Sequence, residues 1–537
     1  MEEASIKTPS LRTQSAWLLF AKVVGFVFSL LLPLLIVRFL TQAEVGIYRQ
    51  VFLVIINANI ILQLGFGTSV YYFLSRSTAE RRGAVVFNTL LFNFAVGAIA
   101  CLVLFVYPQL LGNIFQSEQM TRLAPEIGIV IWLWIFSTFL ETVAIANREP
   151  KMATAFIILA QFTKTALMLL AVMIFATVES FVYAAMVQAL IQSVILLIYL
   201  SSRFPKFWLE FDPKFFREQL FYALPFGLAG LLWTLQTDIH NYFVGYRFSD
   251  AEFAIYAVGC FELPLIGMLA DSVASVMIPR MSELESSGDK SEMKRLSVRV
   301  MEKLAFVYLP SYVFLMITAA TFITTLFTKD YLASVPIFVL NLTLLPFYIW
   351  VTDPIVRAYK ELGRFLLMAR VFILAGLMAA LYFGIGHFDL SGMIAIVIVT
   401  VVVDKFVSTA LVLKKLEVKR QDFILLKDVG KTALSSLIAG VATFLFYRQF
   451  SDIIAVWGAN LTQSVFTNPK QSLTDFISGG FVLVFSALVF APIYLFIMNR
   501  FGVIEDAEKE KLKSIVGRFL PVFKRFAIQN PKSETQN

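Results

Sequence analysis

Charged side chains interrupt several long apolar stretches of this sequence. In such surroundings they are among the few residue types that can bind an ion or a polar ligand. The basic ones are Lys22, Lys164, Arg370 and Lys405, and the acidic ones are Glu141, Glu262, Asp271 and Asp353. A charge at the centre of a bilayer costs about 2.5–3.5 kcal/mol, so such residues usually face a bundle interior or an aqueous cavity. Basic groups placed there attract anions, whereas buried carboxylates are the usual sites of coupling to protons or sodium ions.

Each basic residue has a structural interpretation beside this functional one. Lys22 can extend to the membrane surface, because long cationic side chains reach polar surroundings. Arg370 can pair with an intramembrane acid. Lys405 follows Asp404 directly, and neighbours on a helix point apart, so we expect these two to have different partners. Lys164 lies about 18 Å from the predicted inner end of its helix, too deep to reach the surface, which favours a cavity position.

Among the acids, Glu262 is the leading candidate for ion coupling, because it lies near the middle of an apolar stretch. Asp271 and Glu141 are further candidates. The alternative for Glu262 is a structural ion pair with a nearby cation. The first three apolar stretches contain no carboxylate, which argues against ion coupling in that part of the chain.

The elements that position these residues are transmembrane helices. Hydrophobic residues make up 58% of the 537 residues and charged residues 15%, which is far more apolar than an average soluble protein. The apolar blocks reach the length of about 20 residues that a helix needs to cross a bilayer. We predict fourteen spans, at about 16–40, 50–74, 84–107, 124–146, 152–176, 178–200, 219–243, 253–278, 300–327, 331–356, 363–384, 391–413, 428–448 and 475–499.

The distribution of Lys and Arg predicts the orientation. With the N-terminus inside, 32 basic residues lie in inner loops and tails and seven in outer loops, and the excess marks the cytoplasmic side. Both termini are then cytoplasmic. We call the two ends of each helix inner and outer on this basis. The net charge of +8 results from this excess of basic residues on the inner side and does not indicate nucleic-acid binding. The basic, amphipathic tail 501–537 is expected to lie on the inner membrane surface.

A repeat divides the chain into halves. AEVGIY at 43–48 recurs as AEFAIY at 251–256, and an Arg-Phe pair precedes both. Arg148-x-x-Lys151 recurs as Arg357-x-x-Lys360 at a similar offset. The fold class expected is therefore an all-α polytopic membrane protein with two parallel six-helix lobes related by a pseudo-twofold axis along the membrane normal, plus two C-terminal helices. The predicted segments are an N-terminal lobe 1–200, a linker 201–218, a C-terminal lobe 219–415, two added spans within 416–500 and the tail.

The repeat also relates the basic residues. Arg370 aligns with Gln161, which lies three residues before Lys164 and so on the same helix face. Both lobes thus place a cationic or hydrogen-bonding group on the same face of the same helix. If these faces line a cleft between the lobes, its inner half attracts anions. We therefore take Lys164, Arg370, Gln161, Lys22 and Lys405 as candidate anion-binding residues.

Signatures of catalysis are missing from the sequence. It contains no Gly-x4-Gly-Lys-Ser/Thr loop for ATP. Two histidines, His240 and His387, and two cysteines, Cys101 and Cys260, lack the spacing of a metal site. We predict a transporter with no catalytic residues, no metal and no cofactor.

Three segments resemble the polysaccharide flippases of the Wzx type, within the multidrug/oligosaccharidyl-lipid/polysaccharide superfamily. These segments are VRFLTQAEVGIYRQVF (37–52), LGFGTSVYYFLSR (64–76) and RAYKELGRFLLMARVFILAGLMAALYF (357–383). The resemblance implies an alternating-access flippase that moves an undecaprenyl-diphosphate-linked oligosaccharide to the outer leaflet of a bacterial inner membrane, for O-antigen or other surface polysaccharide. Polysaccharide polymerases and glycosyltransferases would be its partners.

Other functions remain open. An ion-coupled multidrug antiporter would favour acids in the first half, which is nearly bare of them. Lipid II flippases resemble this chain in their lobes, but their arginine-rich, acid-containing first span differs from the one here, which offers only Lys22. A structural or lipid-scrambling role is a further alternative, and a charged cleft argues against it.

Overall fold

Helices form all the regular structure in the part of the chain that the computed structural model describes, which comprises residues 28, 32–78, 81–504 and 510. In the first half they are α1 Gln42–Leu62, α2 Phe66–Arg76, α3 Arg82–Val106, α4 Gln109–Phe115, α5 Glu118–Ser137, α6 Phe139–Ala146, α7 Pro150–Ile174 and α8 Val178–Arg203. In the rest they are α9 Pro213–Arg247, α10 Asp250–Gly259, α11 Pro264–Ser286, α12 Lys290–Phe327, α13 Val335–Leu342, α14 Asp353–Ala358, α15 Lys360–Gly384, α16 Leu390–Lys415, α17 Lys427–Val465 and α18 Gln471–Arg500.

Twelve helical segments of the described chain are long and apolar enough to cross a membrane. They correspond to predicted spans 2–7 and 9–14, so the all-helical, multi-span architecture is confirmed. Predicted span 1 lies mostly outside the described residues, as do Lys22 and nearly all of the tail 501–537. Predicted span 8 is divided between α10 and α11. The total of fourteen spans therefore stays a prediction.

The repeated hexapeptides start equivalent helices. Thr41 caps the N-terminus of α1 and Ser249 caps that of α10, each in a capping box with Glu44 or Glu252. In both boxes the glutamate accepts hydrogen bonds from the backbone N–H and the hydroxyl of the capping residue. Those bonds from Ser249 lower the pKa of Glu252. Both glutamates stabilise the start of a helix. A helix in a membrane needs such partners for its end groups, because lipid offers its backbone N–H groups no hydrogen bonds.

The two halves share one hydrophobic core at the outer end. It joins Leu40, Val51 and Phe115 of the first half to Val258 and Phe327 of the second. At the inner end the cores are separate. Among the described residues, one inner core is built around Phe73, Tyr199 and Phe215, and the other around Met281, Tyr359 and Leu416.

Contact between the halves runs mainly through α9 and α10. Helix α10 packs on α1, and α9 packs on α1, α2 and α4. At its inner end α9 carries the buried Gln219, whose amide donates to Ser69 at 3.2 Å and to Thr89 at 3.0 Å. The described halves are therefore closed at the outer end, while α9 ties them together at the inner end.

Several predicted boundaries were wrong, and span 2, for example, is interrupted at 63–65 between α1 and α2. Residues 449–474 were expected to form an outer loop, but α17 continues to Val465 and pairs with α18, where Gly458 packs against Ser478. The helix persists through Arg448 and Asp452 because α18 covers its other face. Span 8 was expected to be one helix, but residues 260–263 between α10 and α11 are not helical. Pro264, which starts α11, cannot donate a backbone hydrogen bond, and the break falls just before it.

Candidate functional site

Lys164 is a cation inside the first half without an acidic partner in the described chain. Its Nζ lies 4.9 Å from the ring centre of Trp134 and 5.9 Å from that of Phe52. Such contacts with aromatic faces stabilise an ammonium group by about 0.5–2 kcal/mol, which is less than the cost of placing it at mid-membrane. Predicted span 1, most of which is not described, contains no Asp or Glu in its sequence. The arrangement leaves Lys164 able to bind an anion.

Neutral amides contact Trp134 and, one turn further along the chain, Thr138, at the end of α5 that Lys164 contacts. The indole N–H of Trp134 donates to Gln188 at 3.0 Å. The amide of Gln63 donates to Thr138 at 3.1 Å and to Asn59 at 2.7 Å. Gln63 lies in the break between α1 and α2, and Thr138 lies between α5 and α6, so two interrupted helices meet here. Amides and hydroxyls of this kind can hydrogen-bond a hydroxyl-rich ligand such as a sugar.

Gln161 lies one turn before Lys164 on α7 and is half-buried. Among the described residues it has no hydrogen-bond partner. The structure therefore leaves its amide available beside the lysine, as expected from the spacing, although whether it binds substrate stays a prediction.

Arg370 has a different environment from Lys164. Its Nε lies 3.2 Å from Oδ1 of Asp404, and its Nη2 lies 3.5 Å from Oδ2, so α15 and α16 are joined by a two-point ion pair. The two side chains are 26% and 19% exposed, so the pair is partly shielded from solvent. This is the structural interpretation left open for Arg370, and it means that an anion approaching Arg370 has to compete with Asp404.

Lys405 points away from this pair. Its Nζ lies 5.6 Å from the ring centre of Tyr348. The expectation that Asp404 and Lys405 have different partners is confirmed. Lys405 remains within electrostatic range of Asp404 and Arg370, so the three form one charged cluster on α15 and α16.

Glu262 lies in the non-helical segment between α10 and α11, and its side chain is exposed to open space. It is within electrostatic range of Asp238 on α9 and of Tyr348. Asp238 in turn lies near Asn57 of α1, and Asn57 donates to Tyr242 at 3.2 Å. Two carboxylates of the second half thus lie close together where α9 meets the first half.

The other ion-coupling candidates lie elsewhere. Glu141 is exposed on α6, near the hydroxyl of Tyr71. Asp271 belongs to α11, and its side chain lies outside what the structure describes. No group of three or more His, Cys, Asp or Glu suited to a metal ion occurs in the described ranges.

The four anion-binding candidates that the structure describes fall into two sets. Lys164 and Gln161 lie on α7 in the first half, where Lys164 contacts Trp134, and Arg370 and Lys405 belong to a charged cluster in the second. Sequence reasoning missed Gln63, Gln188 and Tyr348. Polar side chains inside apolar spans were the available signal, because the membrane gives them no water to bind.

Comparisons with known proteins identify a family for the sequence and relatives for the fold. A family model described as "Polysaccharide biosynthesis protein" matches residues 35–336. A search of curated proteins finds no match. Among solved structures, the lipid II flippase MurJ in an inward closed conformation is similar with a TM-score of 0.65 and 15% identity, over 91% of this chain and 98% of that one.

Two further structures share the fold. An inward-facing multidrug resistance MATE family transporter of the MOP superfamily has a TM-score of 0.60 at 14% identity, over 73% of this chain and 94% of that one. A MOP superfamily transporter from Pyrococcus furiosus has a TM-score of 0.54 at 15% identity, over 75% of this chain and 94% of that one. At these identities the likeness concerns the fold alone.

Proposed function

The chain belongs to the polysaccharide biosynthesis protein family, and from this membership we propose that it is a flippase for a lipid-linked oligosaccharide. The substrate class is a glycan joined by a diphosphate to a polyprenyl lipid, and it moves from the inner to the outer leaflet. The observation that carries the proposal is Lys164, a membrane-embedded cation with no described acid beside it. We place the protein in a bacterial inner membrane with both termini in the cytoplasm, working with polysaccharide polymerases and glycosyltransferases.

The arrangement supports alternating access. The outer end is closed by the shared core, and at the inner end the core that contains Met281, Tyr359 and Leu416 is separate from the one that the first half forms with α9. A substrate entering from the inner leaflet would bring its diphosphate to Lys164 and its first sugars to the amides around Gln188 and Gln63. Separation of α1 from α10 would then open the outer end. Glu262 is the group we assign to ion coupling, because its exposed carboxylate lies in a helix break next to Asp238.

The test is complementation of surface polysaccharide in a strain that lacks the gene. We expect Lys164→Ala to reduce polysaccharide export by about 10-fold to 150-fold, because a hydrogen bond to a charged group contributes about 1.5–3 kcal/mol. Lys164→Arg, which keeps the charge, should retain most of the activity. Lys329→Ala is the matched control, since Lys329 pairs with Asp475 at the outer surface, away from the site. Wild-type export by Lys164→Ala at normal membrane levels would refute the proposal.

The carboxylates favour one competing function, an ion-coupled antiporter of small cations. Glu262 and Asp238 have no described ion pair, and such groups could bind a proton and a cationic drug in turn. Efflux of a fluorescent cation from inverted vesicles, lost in Glu262→Gln and independent of Lys164, would favour it. Rescue of a strain depleted of its lipid II flippase would instead assign lipid II as the substrate.

A further inference from the structure

An apolar groove runs between α15 and α16 on the outside of the second half. It encloses about 490 Å³ and is lined by Ile373, Gly376 and Ala380 on one helix and by Ala395, Val399 and Val403 on the other. Its side chains are apolar, from the alanines to Leu377 and Phe388, and among the lining residues only Thr400 carries a polar side chain. The groove therefore suits a hydrocarbon chain.

The groove lies beside the face of α15 that packs on the core. Leu374 and Leu381, about a quarter turn around α15 from Ile373 and Ala380, are buried against the core around Val244 of α9, and Leu377 belongs to both the core and the groove lining. Gly376 is exposed, and a Cβ atom placed on it would meet nothing within 4 Å. Val399 is 62% exposed. A chain lying in the groove would cover these surfaces without moving any part of the helices.

The charged cluster closes the inner end of the groove. Arg370 precedes Ile373 by one helical turn, and Asp404 directly follows Val403. Their ion pair therefore bridges the two helices where the groove stops. Lys405 lies next to it, and Asp353, which is also within electrostatic range of Lys405, is paired with Arg357, so the cluster of Arg370, Lys405 and Asp404 carries one net positive charge. A ligand with a hydrocarbon chain in the groove would place an anionic head at this cluster.

Depth decides which lipid fits. Arg370 lies seven residues inside the start of its predicted span at 363, a depth of about 10 Å, which is about a third of the hydrocarbon thickness of a bilayer. An ordinary phospholipid keeps its phosphate at the membrane surface and cannot reach Arg370 while its chains lie in the groove. A lipid whose head has been drawn into the protein can do both.

We propose that this groove binds the polyprenyl chain of the lipid-linked substrate while its phosphate contacts the Arg370 cluster. The inference rests on the proposed function and adds a site for the part of the substrate that cannot enter a polar interior. The chain stays in contact with the bilayer along α15 and α16, and only the phosphate and the glycan cross through the protein. Arg370 would exchange Asp404 for the phosphate as the head arrives.

The test measures binding of undecaprenyl phosphate to the full-length protein in phosphatidylcholine nanodiscs. Gly376→Leu fills the groove and should weaken binding about tenfold, as expected when about two methylene groups lose their contact. Gly480→Leu is the matched control, because Gly480 is also a helical glycine with nothing within 4 Å of a Cβ atom, and it should bind as the wild type does. Arg370→Gln should weaken binding of undecaprenyl phosphate and leave binding of undecaprenol unchanged.

Two outcomes would overturn the inference. One is equal binding by Gly376→Leu and the wild type. The other is equal competition by phosphatidylglycerol, which would make the groove a site for resident phospholipid. These outcomes leave the proposed function standing if the wild-type chain still restores surface polysaccharide. Conversely, loss of the proposed function in that complementation assay does not alter the binding measurement.

Discussion

Gly46 allows α1 and α10 to meet at the outer end, and enlarging it should open that end. A Cβ atom on Gly46 would lie 1.8 Å from the carbonyl oxygen of Asp250 and 2.6 Å from its carbonyl carbon. In Gly46→Ala the two helices therefore have to separate by roughly 1.5 Å to reach van der Waals contact. Gln50 donates to the carboxylate of Asp250 at 3.0 Å across the same contact, and this bond would be lost.

The magnitude follows from these two losses. Overpacking costs about 1–3 kcal/mol and a lost hydrogen bond about 1 kcal/mol, so the closed outer end loses about 2–4 kcal/mol. The ratio of outward-open to outward-closed protein should rise by about 30-fold to 700-fold. Enlarging Gly46 should thus convert a minor state into a readily detected one.

The assay labels a reporter cysteine with a membrane-impermeant maleimide applied from outside intact cells. Val258→Cys is a suitable reporter, because Val258 is 0% exposed in the shared core, and it is placed in a background with Cys101 and Cys260 replaced by serine. The reporter should be unlabelled with Gly46 present and labelled in Gly46→Ala.

Gly97→Ala is the control for general loosening. Its Cβ atom would lie 2.7 Å from Trp132, a contact within the first half rather than between the halves. Labelling in Gly97→Ala as strong as in Gly46→Ala would show that any packing defect exposes the core. Absence of labelling in Gly46→Ala would refute the assignment of this contact to closure of the outer end.

Two further predictions concern charges. Asp404→Asn should lower the membrane level of the protein, because it leaves Arg370 partly buried without its counter-charge, and Arg370→Gln added to it should restore the level in an immunoblot; no recovery would mean that the pair is not coupled. Glu252→Gln should lower the melting temperature modestly, since a helix cap contributes about 1 kcal/mol. Because hydrogen bonds from Ser249 lower the pKa of Glu252, the carboxylate stabilises the folded protein above the unfolded pKa of about 4.3, and the difference between wild type and variant should shrink as pH falls below that value. A difference independent of pH would contradict this origin.

The helices were predictable from the sequence and their interruptions were not. Apolar length alone indicates a span, and twelve of the predicted spans correspond to helices of sufficient length. The interruption at 260–263 coincides with Pro264, which starts α11, but proline alone does not predict a break, since Pro225 and Pro310 lie inside continuous helices. The continuation of α17 past Arg448 depends on α18, whose Phe481 packs on Trp457 with ring centres 5.1 Å apart. The hydropathy of residues 449–474 is low, and it therefore predicted a loop.

The sequence was sufficient to predict which residues are candidates for the site, but not which side chains they contact. Lys164 is conspicuous in the sequence because nothing else on its helix is charged near mid-span. The partner of Arg370 was not apparent, since Asp404 lies 34 positions away on the next span. The amide side chains near Gln188 carry no charge, so they change the local hydropathy less than a lysine does. Their proximity results from the meeting of interrupted helices from distant parts of the chain, which the sequence does not show.

The unequal environments of the two cationic groups imply an order of events. Lys164 has no described acid to release, so a phosphate can bind it directly. Arg370 must first lose Asp404, and breaking a partly buried ion pair is costly unless another anion replaces the carboxylate. We infer that the substrate is recognised first in the first half and that Arg370 engages only when the phosphate is close enough to substitute for Asp404. The second half would then sense an occupied site, because its ion pair exchanges partners only in the presence of substrate. Such a dependence would couple closure around the substrate to its charge, and an uncharged polyprenyl glycan would bind without triggering the exchange.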